Sequence, residues 1–291
     1  MDAAGSERLR RIDFSLGGAA PLVIGFLILA VPTIATLGDQ VWSREFGAHG
    51  PIIICTGLWL LWRQAPALRA NARPGSPALT VAILLAALAL YVFGRAYDFI
   101  SLETAGLYGV ALAMLHSRFG VGAMLKEWFP LLYLGLAIPP PTWALDRLTA
   151  PLKEFVSFAA TDILRLFDIP VAREGVTLFV AQYQLLVEDA CSGMNSLVGL
   201  IAIGLFYIYL MRGSSVLYAL FLTCLVIPIA VVANIMRIMI LILLTYFYGD
   251  DVAQGFLHFA AGIFLFASSL LMVFAIDSLI FRIRGKLGLG A

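Results

Sequence analysis

Residues 216–247 read VLYALFLTCLVIPIAVVANIMRIMILILLTYF, and in this run only one side chain, Arg237, carries a charge. A helix needs roughly 20 apolar residues to cross the hydrocarbon core of a bilayer, and this run is longer. The rest of the chain has the same character. Of its 291 residues 62% are hydrophobic and 13% are charged, and the mean hydropathy is +0.96. A soluble domain carries about 25% charged residues, so the solvent for most of this surface must be lipid. The fold class that follows is an all-α polytopic membrane protein. The net charge of +1 argues against a nucleic-acid partner.

Scanning outward gives about eight spans. They are Ala20–Leu37, Pro51–Trp62, Ala78–Phe93, Phe99–Leu115, Trp128–Ile138, Met194–Met211, Ser215–Arg237 and Phe256–Phe281. The run after Arg8, Arg10 and Arg11 has no small-residue cleavage site behind it and reads as a retained signal anchor. With the N-terminus in the cytoplasm, alternation puts Arg63, Arg69, Arg73, Arg118, Lys126, Arg212, Arg282, Arg284 and Lys286 on the cytoplasmic side. That bias predicts both termini inside.

One long interval, 139–190, falls outside the bilayer between the fifth and sixth spans. It opens with Pro139-Pro140-Pro141, which cannot continue a helix. Thr149–Phe167 then has amphipathic spacing and predicts a helix lying on the membrane surface or against the bundle. Val176–Val187 predicts a short hairpin. No internal repeat is visible, and residues 1–291 read as one domain.

Polar groups at membrane depth are costly and therefore candidate functional groups. Arg237 is the first, with Asn234 three residues earlier on the same helix face. A lipid-facing pair is hard to justify, so both are expected to face the interior; the alternative is an arginine snorkelling at the interface. Counted from the turn at Arg212-Gly213, Arg237 falls near the outer boundary. Cys191 is the second, in Glu188-Asp189-Ala190-Cys191-Ser192-Gly193-Met194-Asn195, where the outer segment meets the sixth span. A helix N-terminus lowers a thiol's pKa, although Glu188 and Asp189 act in the opposite sense. Ser192 and Gly193 permit a tight start to that helix and close approach of a substrate backbone. The alternative is a buried structural cysteine, the reading adopted for Cys55 and Cys224. His258, at the start of the last span, is the third; the chain has three histidines. The topology brings Cys191, Arg237 and His258 to one outer level on three helices.

These groups form a workable amide-cleaving set. Cys191 would attack a carbonyl, His258 would shuttle the proton, and Arg237 would stabilise developing negative charge. Asn234 would hold the guanidinium or the substrate backbone. No metal or nucleotide motif is present, so no cofactor is expected.

The same residues resemble the exosortase/archaeosortase family of polytopic membrane cysteine transpeptidases. The resemblance rests on Ala48-His49-Gly50-Pro51-Ile52, Leu60-Leu61-Trp62-Arg63, the prolines at 139–141 and Pro151-Leu152-Lys153. It continues through Ala190-Cys191-Ser192-Gly193-Met194, Asn234-Ile235-Met236-Arg237, and His258 with Gly262. It implies a bacterial inner-membrane protease or transpeptidase with its active site on the periplasmic side and Cys191, Arg237 and His258 as catalytic residues. The implied substrate is the C-terminal sorting signal of exported proteins: a Pro-Glu-Pro-like motif, a transmembrane helix and a basic tail. Supporting or substrate-binding positions would be Asn234, Ser192, Gly193, Asn195, His49 and Glu188. A link to exopolysaccharide production is also implied. The competing reading is a non-enzymatic transporter or assembly component of exopolysaccharide export, in which Arg237 and His258 bind an anion or relay protons.

Overall fold

The computed structural model describes residues 16–43, 47, 49–186, 192–212, 216–249, 267–280 and 282. The described chain is mostly helical. In order come α1 (Leu16–Leu37) with a π-helical extension over Gly38–Trp42, α2 (Gly50–Ala70), α3 (Pro77–Ala96), α4 (Ile100–Lys126), α5 (Trp128–Gly135) and α6 (Thr142–Arg165). Strands β1 (Val171–Glu174), β2 (Thr177–Val180) and β3 (Tyr183–Leu186) follow, then α7 (Ser192–Arg212) and α8 (Val216–Tyr248). A last described helix, α9, covers Ala267–Ile280. Three described helical stretches are long and apolar enough to cross a membrane: Ala20–Trp42, Pro77–Ala96 and Ile227–Tyr248.

The chain divides into two compact units, Met1–Leu37 with Asn71–Ala123, and Gly38–Ala70 with Met124–Ala291. In the first, α3 and α4 approach closely through small residues. A Cβ on Gly106 would run into the Tyr91 backbone, so glycine is what lets the two helices meet there. Beside that contact the Glu103 carboxylate is 2% exposed and accepts hydrogen bonds from Thr33 (2.7 Å) and Arg95 (3.1 Å). Tyr91 donates to the Leu29 carbonyl (3.0 Å), tying α3 to α1. A buried carboxylate at a helix interface persists only when paired in this way.

In the second unit α2 packs on α5 and α7, and α8 packs on α7 and α6. The first core joins Ile53 and Leu60 of α2, Phe129 and Tyr133 of α5, and Ala202 of α7. The second joins Val156, Ala160 and Leu164 of α6, Val171, Leu178, Val180 and Leu185 of the strands, and Ile238, Leu241 and Ile242 of α8. Helix α6 starts right after Pro141, earlier than the apolar spacing suggested, because Pro141 supplies an extended N-cap residue (φ −60°, ψ 137°). The expected hairpin is a three-stranded antiparallel meander, with Val171 opposite Val180 and Leu178 opposite Leu185. Gly175, at φ +61°, makes the first turn. Strand β1 was missed because Arg173 and Glu174 hide its alternation, in which Val171 points inward.

The span predicted over Ser215–Arg237 continues without a break to Tyr248. Helix propagation depends on backbone continuity and packing, not on where a charged residue falls. The span predicted to stop at Trp62 likewise continues through Pro66 to Ala70.

Candidate active site

Arg237 and Asn234 lie on one face of α8, and each is only 5% exposed. The face continues through Ile238, Leu241, Ile242 and Thr245, all buried. Positions i, i+3, i+4, i+7, i+8 and i+11 share a stripe on a helix, which is why the run buries so consistently. The guanidinium and the amide are thus inside protein rather than on a lipid-facing surface. The apolar half of that stripe, beyond Arg237, is sealed by α6 and the meander.

Helix α7 begins at Ser192. Ser192, Gly193 and Asn195 therefore occupy its first turn, the end of a helix at which unpaired N–H groups and the helix dipole favour negative charge. Cys191, the residue before, lies outside the described residues, as do Glu188 and His258. Arg237 and Asn234 belong to α8, which packs along α7.

His49 immediately precedes α2, and its carbonyl accepts the first helical hydrogen bond from Ile53 (3.1 Å). Its side chain stands against α7. A Cβ added to Gly199 would lie 3.1 Å from the His49 Cβ and 3.3 Å from its Cγ. On its other side His49 lines a small cleft together with Trp42, Gly50, Ala137, Pro139 and Pro140. Burial pushes the imidazole pKa below its ordinary value of 6.5. The neutral ring is therefore the form present at neutral pH.

Sequence reasoning passed over two buried carboxylates. One is Glu103, described above. The other is Asp277 of α9, fully buried, whose Oδ2 accepts a hydrogen bond from Tyr207 of α7 (3.0 Å). The signal was available, since each is an acid inside an apolar run. It also passed over the cleft, because Trp42 and the prolines meet His49 only in the fold. Among the described residues no cluster of three or more His, Cys, Asp or Glu side chains could hold a metal.

No curated protein and no solved structure matches this chain. A family model does. The stretch it covers, residues 41–275, starts in the π-helical turn before His49 and ends inside α9, so it takes in every candidate site residue. The family it describes is the transmembrane exosortase. A match over most of the chain, joined to long apolar helices and a buried Asn-x-x-Arg face, places this protein in the transmembrane exosortase family.

Proposed function

We propose that this exosortase is a membrane cysteine peptidase or transpeptidase, one domain over residues 1–291, that cleaves the C-terminal sorting signal of exported proteins at the outer membrane–water boundary. The observation that carries the reading is the burial of Arg237 together with Asn234 inside the second unit. An arginine costs roughly 2.5–3.5 kcal/mol at the centre of a span, so one held inside the protein marks a candidate functional group.

The length of α8 supports an outer location for this pair. From Val216 to Arg237 the helix rises about 31 Å, the thickness of the hydrocarbon core. The turns after Arg237 would then stand beyond the bilayer, against α6 and the meander. Hydropathy alone frames the span as Ile227–Tyr248 and would put Arg237 at its middle. The packing argues for the first frame, because α6 and the strands already cover that half of α8. Eight spans with both termini cytoplasmic, in a bacterial inner membrane, complete the arrangement.

The chemistry divides among three groups. The Cys191 sulfur attacks the scissile carbonyl carbon, and its thiol proton passes to His258. Arg237 stabilises the negative charge that develops on the carbonyl oxygen. Collapse breaks the C–N bond, and the proton on His258 goes to the leaving amine. A thioester on Cys191 remains, and attack by an amine or by water releases the thiol. Because the substrate is tethered by its own membrane helix, lateral approach sets the depth of the scissile bond.

The test is co-expression with a sorting-signal substrate. Cys191→Ala and Cys191→Ser should both leave the substrate uncleaved while the enzyme accumulates normally. Processing by a stably expressed Cys191→Ala protein would remove the cysteine mechanism. If Arg237 variants fail in that background while Cys191→Ala works, transport or assembly becomes the better account.

A further inference from the structure

The cleft beside His49 has no part in the steps just described, yet several observations mark it as a built feature. Its wall comes from three separate places: the π-helical turn (Trp42), the start of α2 (His49, Gly50), and the α5–α6 connection (Ala137, Pro139, Pro140). The walls are stiff. Proline rings fix the backbone on one side, and on the other the Trp42 indole sits so tightly on Gly50 that a Cβ there would collide with it. The described residues lining it include no carboxylate, ammonium or guanidinium. The Nδ1 edge of the His49 ring lies toward Gly199 of α7, which leaves Nε2 as the polar atom the ring can present to a substrate, as an N–H or a lone pair according to the tautomer.

Its place is equally specific. His49 packs on α7 at Gly199, seven residues after Ser192. That is about two helical turns, or about 10 Å along the axis, from the helix end that Cys191 precedes. An extended peptide advances about 3.3 Å per residue. A substrate side chain about three residues from the scissile bond therefore reaches the cleft.

We propose that this cleft is a substrate subsite, that it takes a short uncharged residue about three positions from the scissile bond, and that His49 sets its specificity by hydrogen-bonding that residue's backbone. This rests on the reading of Cys191 as the nucleophile only for the distance to the scissile bond. His49 touches substrate but no reacting atom, so it is a specificity residue. The described part of the wall is uncharged and so favours an uncharged occupant, since a charge against it would be desolvated with no countercharge among those residues. Gly199 is part of the device, because a side chain there would crowd the His49 ring.

The experiment uses the full chain in lipid nanodiscs and a fluorescent peptide comprising a sorting signal with its membrane helix. Dissociation constants are measured on a Cys191→Ala background, and kcat and KM on the otherwise unaltered enzyme. His49→Leu should weaken binding by up to about tenfold, the worth of one neutral hydrogen bond, and raise KM more than it lowers kcat. His49→Gln should recover part of that loss. Leu145→Trp, which fills the cleft from α6, should shift preference at the third position toward glycine and alanine while leaving helix α2 untouched. Unchanged affinity in all three variants, or a fall in kcat at constant KM, overturns the proposal. Because binding is read without turnover, cleavage by the Cys191→Ala enzyme would count against the nucleophile alone, and the affinities would still decide whether the cleft holds substrate.

Discussion

Replacing Arg237 with lysine separates a chemical role from a structural one. The substitution keeps the positive charge and most of the apolar stem, both of which a residue 5% exposed must bury. It removes the planar fork, so two parallel hydrogen bonds become one bond from a point charge. A hydrogen bond to a charged group is worth about 1.5–3 kcal/mol. Deleting an oxyanion donor costs about 10²- to 10³-fold in kcat. With about 1.36 kcal/mol per factor of ten, the expected loss in kcat is about 100-fold. The unfolding midpoint should stay near that of the parent, because the face made by Asn234, Ile238, Leu241 and Ile242 is unaltered. The assay is a cleavage time course in nanodiscs alongside thermal unfolding followed by tryptophan fluorescence. A turnover within about threefold of the parent at equal stability would refute the transition-state role, since a fork that stabilised developing charge could not be lost so cheaply. A large fall in the midpoint with turnover per folded molecule intact would assign Arg237 to structure instead.

Other outcomes follow from particular contacts. Glu103→Leu should lower unfolding free energy by about 1–3 kcal/mol, the cost of stranding polar partners, with Arg95 relieved by its partial exposure; chemical unfolding in mixed micelles reads it, and no change would mean the carboxylate is dispensable. Gly106→Val should cost about 1–3 kcal/mol by forcing α3 from α4, visible as reduced abundance and a lower midpoint. His49 supplies a pH signature. Its folded pKa lies below the ordinary 6.5, so the unfolded chain takes up the proton first on acidification. Its contribution to stability is therefore complete above about pH 6.5 and declines as pH falls below it. His49→Gln should flatten that acid limb in a midpoint-versus-pH series, and an unchanged slope would contradict a lowered imidazole pKa in the folded protein.

That the chain is mostly helical and belongs in a membrane could be read from it alone, because long apolar runs declare themselves. Helices α1 and α3 begin and end within a few residues of their predicted spans. Boundaries were less legible where polarity and helix geometry part company. Helix α8 runs on past Arg237, and α2 past Arg63, since a charge inside a run does not break the backbone hydrogen bonds that sustain it. Within the site, the shared face of Asn234 and Arg237 was legible as an i, i+3 pair. Glu103 and Asp277 were equally visible as acids in apolar runs, but nothing local revealed that Thr33, Arg95 and Tyr207 would meet them.

The amino-acid sequence by itself determined that this protein lives in lipid, that Asn234 and Arg237 look the same way, and that Cys191 directly precedes an apolar helix. Those properties depend on composition and on the 3.6-residue period, both local. Only the tertiary structure decided that α6 and the meander would sheathe the far end of α8, and that Trp42, His49, Pro139 and Pro140 would enclose a cleft against Gly199. Contacts between segments dozens of residues apart depend on how whole surfaces fit together, and no periodicity along the chain records that fit.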